Sequence, residues 1–522
     1  TLHALVSAGD RAGVAALIAQ LRTDFNGDFL KAPDPGGDPA APPVVDPWEA
    51  LPDSGYDLLD RFLSRVDLVN GQGDLWNYDF SFIPVELLSG LYESFLSAKE
   101  QAQDGAYYTP RHLATLTLDE AFAASPDPLQ EIIFDGACGS GILLTTAYRK
   151  LIALSEARQG RPLGFAARRD LLLRQIFGGD TNPMACRVTA FSLYLSLLEG
   201  LDPADVLEAQ ERDDVKLPRL RGSNLCDGPS ADFFSDAHPF AGRRFTLCVS
   251  NPPWKEAAGA ATSADDYADA VGMPAVLRQV AGMYAVRALD FLAEGGTLCL
   301  ILPITQLLGA GAKRYLPYLF DRIAPRRLIN FGDLQALLFP TAENTCHVLV
   351  ASRRPSAQVG RVPFTETFDY CVPKADLSLA FGRLTLQSAD RHELQTQAVQ
   401  EDPSLLTTFM WGDANDLDLL TRLSLGGTLG DFWRGGKRAR WQNRKGVHFV
   451  DRARSPVDAG PLREIPYVTT EGLKGGVPVL HGSQATLWPA EQDTVVGLDS
   501  VLPLFDGPRV LYPDGFSKGE HN

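Results

Sequence analysis

The 522-residue chain is 45% hydrophobic, enough for large cores, and carries a formal net charge of −17. At roughly 100–200 residues per domain it holds about two to four domains, and no apolar run approaches the ~20 residues that span a bilayer. The acidity argues against a protein that grips nucleic acid unaided, because phosphate neutralisation supplies much of such affinity. Either a basic surface is local or a partner contributes.

Residues 1–31 read as helical, with Val14, Leu17, Ile18 and Leu21 on one face. Thr1-Leu2-His3-Ala4 has neither the charged nor the apolar region of a signal peptide. The first residue is not Met, and the chain stops just after a strand-like Pro508-Arg509-Val510-Leu511-Tyr512. Further residues are expected at both ends. Six prolines between Pro33 and Pro47, with Gly36-Gly37, mark a linker. Ile83 to Leu96 opens with Pro84 and repeats apolar residues at helical spacing. The N-terminal helical region is expected to cover 1–103.

From 104 to 355 strands alternate with helices. Strands are expected over Glu131–Phe134, Gln175–Gly178, Phe245–Val249, Gly296–Leu302, Arg327–Phe331 and Thr345–Ala351. Helices such as Ile142–Leu154 and Met283–Leu292 lie between them. This pattern predicts an α/β, doubly wound Rossmann-like domain whose last strands include antiparallel ones. Beyond 355 short strands and Gly/Pro turns take over, so a second, mixed α/β domain is expected over 356–522. The seven cysteines (Cys138, Cys186, Cys226, Cys248, Cys299, Cys346, Cys371) form no C-x-x-C pair. Most lie in apolar runs and read as reduced core thiols of a cytosolic protein, not disulfides or a zinc site; no metal is expected.

Three stretches carry chemistry. Ile132 to Gly141, ending Asp135-Gly136-Ala137-Cys138-Gly139-Ser140-Gly141, is a strand, a glycine turn and a helix start. Small residues there let the backbone approach a cofactor closely. A dinucleotide fingerprint would need a third Gly at Leu144, and an ATP loop would need Gly-Lys-Ser/Thr; neither is present. An acid before the turn suits S-adenosylmethionine, which carries an ammonium and a sulfonium. Next, Asp180, with Thr181 and Asn182 beside it, ends a strand before an apolar helix. A carboxylate there can accept both ribose hydroxyls, although Asp180 read alone fits a helix N-cap as well. Third, Ser250-Asn251-Pro252-Pro253-Trp254 follows a buried strand, at the strand end where open α/β sheets place their sites. An amide oxygen, a carbonyl fixed by two prolines and an aromatic plate can hold a flat, amine-bearing ring.

Ahead of these stands Gly105-Ala106-Tyr107-Tyr108-Thr109-Pro110. The order Tyr-Tyr-Thr-Pro, Asp-Gly-Ala-Cys-Gly-Ser-Gly, Asp180, Asn-Pro-Pro-Trp resembles the γ-class DNA adenine-N6 methyltransferases. These are the modification subunits and large fused enzymes of prokaryotic restriction-modification and phage-defence systems. The resemblance covers roughly residues 75–355. It implies methyl transfer from S-adenosylmethionine to N6 of an adenine flipped out of double-stranded DNA, in the cytoplasm, with other subunits of a defence complex as candidate partners.

It also implies roles. Tyr107, Tyr108, Thr109 and Pro110 would close over the methionine part of the cofactor. Asp135 to Gly141 would form its main loop, and Asp180 would take the ribose. Asn251 and Pro252 would accept hydrogen bonds from the adenine amine, with Pro253 completing the turn. Trp254 would stack on the base. Phe339, in Leu338-Phe339-Pro340, would pack on the base's other side, although a Phe before a strand also fits the core. The family usually has Pro where Gly136 stands, a change a turn tolerates. It usually places Asp or Asn after a Gly to read the cofactor adenine; here Gly222 is followed by Ser223, Asn224 and Leu225, leaving the reader open. In the tail, Arg434, Lys437, Arg438, Arg440, Arg444 and Lys445 cluster with Trp433, Trp441 and Phe449 and no acid between 434 and 445. They read as a DNA backbone grip in a target-recognition domain, or as a solvated loop face.

The same motifs admit methyltransferases for RNA adenine or for a protein glutamine, and a non-catalytic DNA-sensing subunit. The Tyr-Tyr-Thr-Pro stretch and the large tail favour DNA, and the intact motifs favour catalysis.

Overall fold

The structure, a computed structural model, describes residues 2–24, 48, 51–64, 66, 109–213, 217–254, 261–274, 279–308, 311–339, 345–361, 364–375, 383–426, 457–463 and 494–495. The Pro-rich linker, the helix expected over 83–96, Tyr107, Tyr108 and the basic cluster at 434–445 lie outside them.

Three N-terminal helices, α1 (Leu2–Ser7), α2 (Arg11–Asp24) and α3 (Asp53–Leu63), enclose a small core. Val14 and Ile18 from the expected face of α2 meet Val6 and Tyr56 there, with Leu21 at the margin. Arg11 lies over the Tyr56 ring at 4.5 Å and pairs with Asp53, which fixes α2 against α3.

The main body is built on a sheet. In chain order come α4 (Arg111–Ala124), β1 (Ile133–Asp135), α5 (Ile142–Gln159), α6 (Phe165–Gln175), β2 (Ile176–Asp180), α7 (Pro183–Leu198), β3 (Leu225–Asp227) and β4 (Phe245–Ser250). Then follow α8 (Val280–Phe291), β5 (Leu292–Pro303), α9 (Ala312–Phe320), β6 (Ile323–Asn330), β7 (Cys346–Arg353), β8 (Thr367–Cys371), β9 (Arg391–Gln395), α10 (Thr396–Glu401) and α11 (Leu405–Trp411). Among the described residues the sheet order is β3-β2-β1-β4-β5-β7-β6-β8-β9. Strands β1 to β5 pair in parallel, and β7 runs antiparallel to both neighbours. The doubly wound α/β expectation is met, and the antiparallel members are β7 and β9.

Alternation along the strands makes two cores. Cys299 and Ile301 of β5 and Val348 and Val350 of β7 face α4, α5 and α7. Leu298, Leu300 and Leu349 face α8 and α9. With both faces covered, the central strands are apolar runs, which is why they were legible. All seven cysteines are buried as free thiols. Among the described residues no helix is long and apolar enough to cross a membrane.

The sheet continues past 355, where the second domain is expected to begin. β8 pairs with β6 and β9 with β8, and Leu394, Val399, Leu406 and Met410 join the core of Phe320 and Leu328. The compact unit therefore runs to Leu417. Asp369 disguises β8: it interrupts Phe368 and Tyr370, and it is held by Arg327, which also pairs with Glu120. A second unit covers Asp418–Asn522; in it Val457–Asp458 and Thr494–Val495 pair antiparallel.

The strand order reverses between β1 and β4. Ligands of open α/β sheets bind at the carboxyl ends of strands beside such a switch. Asp135, Asp180, Asp227 and Ser250 are the last residues of β1, β2, β3 and β4.

Candidate active site

The glycine loop leaves β1 at Asp135 and enters α5 at Ile142. Gly139 and Gly141 have φ of 52° and 86°, where a side chain is strained. Gly141 has no space either, since a Cβ would stand 2.7 Å from the Thr189 side chain of α7. Thr189 Oγ1 donates to the Gly139 carbonyl at 2.8 Å. Cys138 N–H donates to the Gly179 carbonyl at 3.0 Å, and Gly139 N–H donates to the Asp180 carboxylate at 3.0 Å. The loop is thus cast against β2 and α7.

Asp180 is the tie between the two acidic turns. Its other oxygen accepts from Asn182 N–H at 2.8 Å. The N-cap of α7 is Asn182, whose side chain accepts from Met184 N–H at 2.9 Å. Of the two readings of Asp180, helix capping therefore passes to its neighbour. Thr181 and Asn182 are exposed, whereas Cys138, Ser140 and Gly141 are buried and Ala137 and Gly139 half-buried.

Gly136, where the family usually has Pro, has a tertiary explanation. A Cβ there would lie 2.4 Å from the Phe233 ring and 2.8 Å from the Tyr284 hydroxyl. Phe233 and Tyr284 stack with centroids 3.9 Å apart, filling the space a larger residue would need.

Asp135 is 1% exposed. It accepts from Ser250 Oγ at 2.6 Å and from Ala137 N–H at 3.1 Å. Burial pushes its carboxyl up to about 7; the Asp180 charge adds to that, while the two hydrogen bonds oppose it.

Ser223, Asn224 and Leu225, the candidates beside Gly222, lie away from this edge. Asn224 is buried at the start of β3, and its Nδ2 donates to the Leu173 and Ile176 carbonyls at 2.9 and 2.8 Å. Ser223 donates to the Arg219 carbonyl, and Leu225 is core. The group holds the opposite end of β3, about 10 Å from its carboxyl end at ~3.3 Å per residue. What stands at the edge is Asp227, in register with Asp180 and ion-paired to Arg221 at 2.5 Å. The available signal was Leu225-Cys226-Asp227-Gly228, a short apolar run closed by Asp-Gly like Phe134-Asp135-Gly136.

The Asn-Pro-Pro-Trp turn leaves β4 one strand from the glycine loop. Asn251 Nδ2 donates to Thr109 Oγ1 at 3.0 Å. Thr109 is buried, and Pro110 is the N-cap of α4. With Nδ2 turned to Thr109, the acceptor the side chain presents is Oδ1. Pro252 is buried, while Pro253 and Trp254 are half-buried. Trp254 and Phe339 lie 4.9 Å apart at 59°, and Phe339 is 4% exposed. A ring held between two faces needs about 7 Å between them, two contacts of ~3.5 Å. The two aromatics expected to flank a base therefore touch each other in this conformation.

The structure thus brings together Thr109, Asp135, Gly139, Asp180, Ser250 and Asn251 along one edge and removes Ser223 and Asn224 from it. Three carboxylates at adjacent strand ends, over a glycine-lined turn, fit a ligand that carries positive charge.

Residues 85–317 match the model of the family N-6 DNA Methylase. The chain is 26% identical over 205 residues to the type I restriction enzyme MjaIX methylase subunit of Methanocaldococcus jannaschii, covering 36% of this chain and 32% of that protein. It is 25% identical over 333 residues to the type II restriction enzyme and methyltransferase RM.Eco57I of Escherichia coli, covering 51% of this chain and 32% of that one. The chain spans about a third of the length of these curated relatives. Among solved structures, the type I restriction-modification system methyltransferase subunit from Streptococcus thermophilus is 13% identical with a TM-score of 0.43, covering 77% of each chain. The likeness to the N-6 DNA methylase family lies in residues 85–317, less than half of the chain.

Proposed function

We propose that this chain transfers a methyl group from S-adenosylmethionine to N6 of an adenine flipped out of DNA, within a prokaryotic, cytoplasmic restriction-modification or defence system. The observation that carries this reading is the pairing of two contacts at neighbouring strand ends. Ser250 binds Asp135 and Asn251 binds Thr109, so the turn that would hold an amine is fixed beside the loop that would hold a donor.

The bound cofactor supplies an electrophilic methyl on a sulfonium, and no side-chain nucleophile is needed. The glycine loop from Ala137 to Gly141 lets the backbone approach it, Asp135 and Asp180 supply negative charge, and Asp180 is the ribose acceptor. Asp227, at the end of β3, is the candidate at this edge for reading the cofactor adenine. The adenine amine is a poor nucleophile because its lone pair is delocalised into the ring. Asn251 Oδ1 and the Pro252 carbonyl accept hydrogen bonds from its two N–H groups, favouring a more tetrahedral nitrogen and stabilising the charge that develops on attack. Holding methyl and nitrogen in line supplies much of the remaining acceleration. Base flipping costs a few kcal/mol, and stacking on Trp254 offsets about 1–3 kcal/mol of it. The base enters only as Trp254 and Phe339 separate.

The net charge of −17 favours a shared grip on DNA. Other subunits are its natural source, together with the cationic cluster from Arg434 to Lys445 in a target-recognition role. The test incubates the chain, alone and with any co-encoded partner, with labelled S-adenosylmethionine and mixed-sequence DNA, followed by digestion. N6-methyladenine is expected, with at least a hundredfold loss in Asn251→Ala, since single electrostatic acceptors are worth about 10²–10³ in rate. Label in RNA or protein, or label that survives Asn251→Ala, overturns the proposal.

A further inference from the structure

Ser250 is the residue before the Asn-Pro-Pro-Trp turn, and it is 1% exposed. No motif claims it. Its hydroxyl donates at 2.6 Å to Asp135, the acid that closes β1 one strand away. The Tyr284 hydroxyl stands 2.8 Å from where a Gly136 Cβ would be, close to the start of the loop. A serine hydroxyl has one hydrogen, and an ionised carboxylate only accepts. Ser250 therefore gives its one hydrogen to Asp135. The glycine loop and the amine-holding turn share this buried link, and Phe233 stacks behind it.

We infer that Ser250 is a positioning residue that ties the acid of the cofactor loop to the catalytic turn, so that cofactor binding and the placement of Asn251 depend on one hydrogen bond. The inference rests on the methyltransferase reading above. Ser250 stabilises the ionised form of Asp135, the form a cationic cofactor prefers. Around Asp135 the titratable groups are Asp180 at the end of β2, Tyr284 on α8, Cys138 in the loop and Cys248 on β4. Asp227, one strand beyond Asp180, is balanced by Arg221. With those anionic or neutral neighbours, loss of the Ser250 donor leaves Asp135 protonated to higher pH.

The test is calorimetric titration of S-adenosylmethionine into wild type, Ser250→Ala, Ser250→Thr, Asp135→Asn and the double variant Asp135→Asn/Ser250→Ala, from pH 5.5 to 9. At pH 7 Ser250→Ala is expected to weaken binding about tenfold, the size of a charged hydrogen bond. It is also expected to move the midpoint of the pH dependence upward by about one unit. Ser250→Thr keeps the hydroxyl and the wild-type midpoint. In the Asp135→Asn background Ser250→Ala adds less than about twofold, the signature of two residues acting through one contact. Should the alanine variant not fold, Ser250→Cys keeps the volume with a weak donor and carries the same expectation. An unmoved midpoint, or a full tenfold loss in the Asp135→Asn background, overturns the inference while leaving the methyltransferase reading intact. A wild type that does not bind the cofactor overturns the reading itself, and the inference with it.

Discussion

The two halves of the site differ in how they are held. On the cofactor side each turn is tied to another element: Gly139 to Asp180 and Thr189, Cys138 to Gly179, Asp135 to Ser250. On the base side Trp254 leans on Phe339 with nothing between the rings. Under the proposed function, the difference means that donor binding would meet a preformed surface, whereas base capture would include the work of parting two aromatics. Variants on the cofactor side should therefore change cofactor affinity, and variants on the base side should change turnover on DNA alone.

The largest effect is expected at Gly141. Alanine there puts a Cβ 2.7 Å from Thr189 at a φ of 86°. Left-handed strain of about 1–2 kcal/mol and overpacking of about 1–3 kcal/mol predict S-adenosylmethionine binding about a hundredfold weaker. Adding Thr189→Ala removes the obstruction and should recover about tenfold of that loss, since the overpacking share is relieved and the strain is not. Calorimetry on the three chains decides it, and binding within twofold of wild type for Gly141→Ala would show that the loop is not cast as described.

Trp254→Ala comes next and sharpens the contrast from the other side. Loss of one stacking face, about 1–3 kcal/mol, predicts methylation of DNA slower by about 10- to 100-fold at limiting DNA. Cofactor affinity should stay within twofold. An equal loss in both measurements would mean the halves are not separable. A smaller effect belongs to Thr109, which orients the Asn251 amide. Thr109→Val removes one neutral hydrogen bond and should lower kcat about fivefold, with Thr109→Ser restoring it and cofactor binding unchanged. A fall in cofactor affinity without a change in kcat would instead return Thr109 to the cofactor role its motif implies.

The same division explains what the sequence disclosed. The cofactor side was legible because each turn follows an apolar strand and announces itself with Asp, Asn, Gly or Pro, as at Asp135-Gly136 and Asp180 to Pro183. At β3 the rule blurred, because the polar pair Ser223-Asn224 directly after Gly222 precedes the strand and masks Asp227 at its end. Nor could local pattern show that Phe233 fills the space above Gly136, or that β8 and β9 extend the sheet past 355, because both depend on pairings between distant segments. Trp254 and Phe339 were both visible as aromatics beside turns. Their contact is a property of the packed chain and of the conformation it adopts.

The smallest expected effect is on stability, and its sign follows from Asp135. Its carboxyl is pushed up to about 7 by burial, whereas an unfolded aspartate titrates near 3.8. Between those values the folded chain holds a proton the unfolded chain has released, so this group's stabilisation is present at low pH and is lost as pH rises through about 7. Asparagine at 135 does not titrate. The melting temperature of ligand-free Asp135→Asn should therefore gain on that of the wild type between pH 5 and pH 8, by about 3 °C or more for a domain of this size. His238 and His347 are held near 4 and near 3 by burial. Their terms run the other way, with stability rising as pH climbs to about 6.5, but they are common to both chains and cancel in the difference. A difference that stays constant across that range would mean Asp135 is already ionised in the free protein, and the cofactor side would then be preformed in charge as well as in shape.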